Sequence, residues 1–171
     1  MPLDTFLSEV KMHCQTLEGK DGALLNAYRI FAYSMDISAE QYRRITSLLQ
    51  EVSETVEALC ILLSNRESLP QSVRSYHYLS LVAFQYMNEQ VQALLSLLAS
   101  IRQLHKTSSA QKDKLKKALN SKLKSLRQDL HEGLGHVQDL ADQALLEEKR
   151  KKRSSSVRQQ KPFAIPSIPH N

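Results

Sequence analysis

Between Ala23 and Glu132 the chain contains no glycine and a single proline, Pro70. A tract of that length with so few turn formers cannot supply the tight hairpins of a β-sheet, so helices must satisfy its backbone hydrogen bonds. The apolar pattern agrees. Tyr42, Ile45, Leu49, Val52, Val56, Leu59 and Leu63 recur at alternating spacings of 3 and 4, and Phe84, Met87, Val91, Leu94, Leu98 and Ile101 do the same. Each series is a stripe along one side of a helix, in the a and d positions of a heptad.

Helix starts are marked three times by serine followed three residues later by glutamine: Ser38–Gln41, Ser68–Gln71 and Ser108–Gln111. This is the capping-box arrangement, in which each side chain bonds the other residue's backbone N–H. Ile37 and Tyr42 are placed as a hydrophobic staple at the first start, and Pro70 falls in a first turn, where its missing N–H does no harm. The spacing predicts three long helices of roughly 40, 55 and 60 Å at 1.5 Å per residue. The second has Leu79, Leu81, Leu95 and Leu97 beside its main stripe and reads as the central, most buried helix. The last carries Leu119, Leu123, Leu126, Leu130, Gly133, Val137, Leu140 and Ala144 in register, and Gly133 and Gly135 predict a kink, a fray or a tight helix contact.

Two shorter stripes precede these helices. One consists of Leu3, Phe6, Leu7, Val10, Cys14 and Leu17, stopped by Gly19, Asp21 and Gly22; the other consists of Leu24, Ala27, Tyr28, Phe31 and Met35. The expected fold is all-α, an elongated up-and-down bundle of three long and two short N-terminal helices with coiled-coil-like packing. Residues 1–148 form the bundle domain. From Lys149 the pattern stops, and 149–171 reads as a disordered basic tail holding three of the five prolines, Pro162, Pro166 and Pro169.

Inventory argues against catalysis. Four glycines make no phosphate-binding loop, and G-x-S-x-G, H-E-x-x-H and C-x-x-C are missing. No two histidines stand at the 3 or 4 spacing that would aim both at one metal. His13 and Cys14 are adjacent and diverge on a helix, so Cys14 and Cys60 read as buried structural thiols. Glu51, Glu54 and Glu57 form an acidic ridge without the Glu-x-x-His partner of a di-metal bundle. The aromatic group Tyr76, His77, Tyr78, Phe84 and Tyr86 reads as packing, with a groove for a partner helix as the alternative. The expectation is a non-enzyme with no cofactor and no metal.

Charge is unevenly distributed. Residues 1–105 carry 8 Lys/Arg and 11 Asp/Glu, whereas residues 106–171 carry 15 and 7. Two clusters account for the excess. Lys112, Lys114, Lys116, Lys117, Lys122, Lys124 and Arg127 surround the start of the last helix, where positive charge opposes the helix dipole. Lys149, Arg150, Lys151, Lys152 and Arg153 run directly into Ser154, Ser155 and Ser156, which phosphorylation could make anionic. Both read either as solvated helix surface or as a polyanion-binding surface.

The N-terminus MPLDTFLSEVKMHC has neither a basic segment nor an apolar run, so no secretory signal is expected, and no apolar stretch reaches membrane-spanning length. The functional expectation is a scaffold or adaptor subunit docking on other helical proteins, or on itself, through heptad faces. The alternative is a protein that binds nucleic acid or an anionic membrane surface through the basic C-terminal third. Location is read as cytoplasmic, or nuclear if the Lys149–Arg153 cluster serves import.

Overall fold

A computed structural model describes residues 1–34, 36–65, 69–103 and 109–159. These residues form four helices: α1 (Leu3–Tyr33), α2 (Ala39–Ser64), α3 (Gln71–Gln103) and α4 (Ser109–Gln159). The protein is all-α. Each helix packs on two others, α1 on α2, α2 on α3, α3 on α4 and α4 back on α1, which leaves α1–α3 and α2–α4 as the diagonals.

Side-chain pairs fix the directions. Lys20 bonds Glu51 across α1–α2, Gln92 donates to Ser53 across α2–α3, Ser72 donates to Glu147 across α3–α4, and Arg127 binds Asp21 across α4–α1. With His77 near Leu63 and Gly133 against Met87, neighbouring helices run antiparallel. Counting from Ser72–Glu147 sets residue 92 opposite residue 127. The Gln92–Ser53, Arg127–Asp21 and Lys20–Glu51 pairs therefore share one level of the bundle. A one-turn slip of any helix would unpair them, so this polar layer ties down a register that the apolar stripes alone would leave loose.

The heptad stripes of α2, α3 and α4 are the core. All seven stripe residues named above for α2, all six for α3, and Leu119, Leu123, Leu126, Leu130, Val137, Leu140 and Ala144 of α4 are buried. Each such Leu, Val or Phe contributes roughly 1.5–3 kcal/mol by leaving water. The α2 start is as expected. The Ser38 hydroxyl accepts from Gln41 N–H at 3.1 Å and Gln41 Oε1 accepts from Ser38 N–H at 2.9 Å, an arrangement worth about 1 kcal/mol. Ser68, Ser108 and Met35, which figured in the expected helix boundaries, lie outside the described residues. Pro70 immediately precedes α3, and its carbonyl accepts from Val73 N–H at 2.9 Å.

Three expectations need correction. The two short N-terminal helices are one, because α1 runs unbroken through Gly19 and Gly22, neither of which has a positive φ. Leu3, Val10, Leu17, Leu24 and Phe31 stand 7 apart. The heptad therefore passes through the glycines, and it was interrupted only where Asp21 replaces an apolar residue to meet Arg127. Second, α3 is not central: in a four-membered ring it has two neighbours like any other helix. Third, α4 does not stop at residue 148. It continues to Gln159, so Lys149–Arg153 is helical, and residues 160–171 lie outside the described part. At Gly133 the expected tight contact is present, since a Cβ there would stand 2.6 Å from Met87 Cε; one at Gly135 would meet open space.

Candidate interaction surfaces

The basic residues divide into two regions at opposite ends of the bundle. Lys117 and Lys151 are 34 residues apart on one helix, which is about 51 Å at 1.5 Å per residue. Between them, residues 128–148 hold Asp129, Glu132, Asp139, Asp142, Glu147 and Glu148 and no Lys or Arg. The basic C-terminal third is thus not one surface, and α4 is a basic–acidic–basic rod.

In the first region the expected residues are not equivalent. Arg127 is committed to structure. Its Nε and Nη2 donate to the Asp21 carboxylate at 2.9 and 3.1 Å, with both side chains about three-quarters buried and His131 Nε2 3.5 Å away. The Arg127 hydrogen bonds hold the Asp21 carboxyl below its ordinary range, and the same pairing raises the guanidinium. Lys112 and Lys116 are half-buried, and Lys116 lines an open groove with Lys117, Asn120 and the end of α1, Phe31 to Ser34. Lys114, Lys117, Lys122 and Lys124 are exposed. Of these, Lys114, Lys117 and Lys124 share an outward face at spacings of 3 and 7.

In the second region every residue from Lys149 to Ser155 is exposed. Ser72–Glu147 sets the start of α3 opposite residues 147–148, where Asp4 of α1 also stands beside Glu148, so α4 projects beyond the end of α3. The Asp4 carboxyl beside Glu148 pushes the Glu148 carboxyl up. Arg150 Nη1 lies 3.9 Å from Glu147, a loose pair whose guanidinium is exposed.

Compared with known proteins, this chain matches no family model, no curated protein and no solved structure. Its surfaces therefore carry the functional argument.

A further surface, which the sequence offers as the alternative reading of its aromatic group, lies on α3. Its 33 residues include three charges, Arg74, Glu89 and Arg102. The aromatic group divides: Phe84 is core, Tyr76 and His77 are half-buried, and Tyr78 and Tyr86 point out with Leu79 and Val82. These four are 64%, 53%, 46% and 42% exposed in that order. Spacings of 1, 3 and 4 place them on one side, a contiguous apolar strip where a solvated helix normally carries charge. Exposed acids stand at the same level on both neighbouring helices, Glu57 of α2 and Glu132 and Asp139 of α4. The signals available in the sequence were the low charge of the segment and the leucines beside its main stripe, the latter read above as the mark of a central helix.

Cys14 and His77 have structural places in the bundle. Cys14 is buried, and burial together with Glu18 pushes its thiol up to about 12; burial and Glu57 also raise Cys60. His77 Nε2 lies 2.7 Å from the Leu63 carbonyl oxygen and joins α3 to the end of α2. Among the described residues no helix is long and apolar enough to cross a membrane.

Proposed function

We propose that this protein is a non-enzymatic helical scaffold or adaptor that docks a partner on the outward face of α3. The observation that carries the reading is the strip Tyr78, Leu79, Val82 and Tyr86, left exposed on a helix with almost no charge. The a and d stripes, the docking faces expected from the sequence, are consumed in the bundle's own core, so they serve stability. The acidic flanks define the partner's chemistry: an amphipathic helix whose apolar side is bordered by Lys or Arg. A second copy would bring acidic bands together, which places self-association behind a basic-flanked partner.

The test is a pair of variants, Val82→Glu and Tyr86→Glu, assayed by sedimentation velocity of the assembly the protein forms in its cells. Both substitutions sit on the exposed side, so thermal unfolding should shift by no more than about 0.5 kcal/mol. Loss of the assembly with the fold retained supports the reading, and an unchanged assembly ends it.

A second reading rests on a different observation, the exposed cations of Lys149–Arg153 on a projecting helix and of Lys114, Lys117, Lys122 and Lys124 at the other end. It makes the protein a polyanion binder. The location we infer is cytoplasmic, with nuclear import through Lys149–Arg153 as the alternative.

A further inference from the structure

We propose that the Lys149–Arg153 segment of α4 seats in the major groove of double-stranded DNA, holding phosphates of both strands without selecting a base sequence. The inference rests on the polyanion reading and specifies its ligand.

Helical geometry carries the argument. Five consecutive cations at 100° per residue encircle the helix, and residues 149–159 include no acid. A flat anionic surface can meet only the side turned toward it, so an all-round distribution is wasted there. A groove has a phosphate wall on each side, and a helix lying in it uses charges on opposite faces. The fit in size is close: a helix with its side chains is about 10–12 Å across, and the B-form major groove is about 12 Å wide.

Composition excludes insertion of the segment into a lipid interface. A helix lying in a lipid interface needs an apolar side, and Lys149–Ser155 contains only Lys, Arg and Ser. The bundle supplies the approach. The end of α3 falls opposite residue 148, so the segment from Lys149 to Gln159 extends about 16 Å past it, at 1.5 Å per residue. The acidic stretch from Asp129 to Glu148 repels phosphate from the flank of α4. At this end of the bundle, contact is thereby confined to the projecting segment.

Binding of the full chain to a labelled 20-base-pair DNA duplex of mixed sequence, read by fluorescence anisotropy across a salt series, tests this. Duplex RNA of the same sequence, inorganic polyphosphate and phosphatidylserine vesicles are the comparators. DNA should bind with a dissociation constant of about 10⁻⁴–10⁻⁶ M near physiological salt, and the log–log salt slope should be about −4.5 for five phosphate contacts. Duplex RNA should bind more weakly, because its major groove is too narrow to enter. Lys151→Ala keeps the helix and should flatten the slope by about 1. Lys151→Pro removes the same charge and breaks the helix, and it should lose at least about tenfold more affinity than Lys151→Ala.

Equal binding of DNA, RNA and polyphosphate, with the two Lys151 variants indistinguishable, would overturn the groove and leave the polyanion reading standing. Preference for vesicles over DNA would overturn it as well. Binding to none of the four would remove both.

Discussion

Replacing Gly133 and Gly135 by alanine, one at a time, should stabilise the protein only at position 135, although the residues are two positions apart on one helix. At Gly135 the new methyl meets nothing within 4 Å, so only helix propensity acts, and Ala is favoured over Gly by about 1 kcal/mol. At Gly133 the same gain meets a Cβ position 2.6 Å from Met87 Cε, with Phe84 Cζ at 3.4 Å. Carbon atoms rest at about 3.5–4.0 Å, so the methionine end must retreat by about 1 Å. Met87 and Phe84 are fully buried, and overpacking a well-filled core typically costs about 1–3 kcal/mol. The net effect of Gly133→Ala is therefore between about zero and a 2 kcal/mol loss. Urea unfolding followed by far-ultraviolet circular dichroism measures both variants. Combining Gly133→Ala with Met87→Leu, which withdraws the colliding methyl, should recover about 1 kcal/mol of coupling in a double-mutant cycle. If Gly133→Ala stabilises as much as Gly135→Ala, the close approach of α3 and α4 at this point is wrong.

Further outcomes follow from the same structure. Gly19→Ala with Gly22→Ala should stabilise the protein by about 1–2 kcal/mol in urea, since both lie inside α1 with open space around them; a destabilised double variant would restore two helices with a turn between. Asp21 has its folded-state pKa lowered by Arg127, so its contribution is complete above the ordinary carboxylate range and lost as pH falls through the lower folded value. Asp21→Asn should consequently flatten the fall in melting temperature between about pH 4 and pH 2, and an unchanged profile would deny the pairing its role. In native protein at pH 8 an aromatic disulfide reagent should modify half-buried Cys60 before buried Cys14, whose thiol is pushed up to about 12, and equal rates would contradict the burial.

Much of this fold could be read from residue spacing, and the limits of that reading have physical causes. The stripes of α2, α3 and α4 were legible because each repeats its apolar residues without interruption. The continuity of α1 was not, because Gly19, Asp21 and Gly22 together imitate a helix stop. The residue that breaks the stripe, Asp21, is satisfied by Arg127 from 106 positions away, and local pattern cannot report such a partner. The same distance misassigned Arg127, counted at first with the cationic surface lysines. The end of α4 was misread in the opposite sense: Lys and Arg are good helix formers, and the absence of apolar residues marks the end of packing rather than the end of the helix. For the candidate surface, the low charge of α3 was visible. Whether Tyr78, Leu79, Val82 and Tyr86 face a neighbour or solvent depends on how many helices surround α3, and that number was settled only when α1 closed the ring against α4.

The most direct test of the docking face is photo-crosslinking in cells with a benzoyl-phenylalanine placed at one position per experiment, Val82 on the α3 strip or Glu54 on the charged outer side of α2. Both side chains are exposed and lie on neighbouring helices, so they differ chiefly in the face they present. Position 82 should give one discrete crosslinked product, mapping to a basic-flanked amphipathic helix, and position 54 should give no such product. Equal products from both positions, or none from 82, would contradict the docking face.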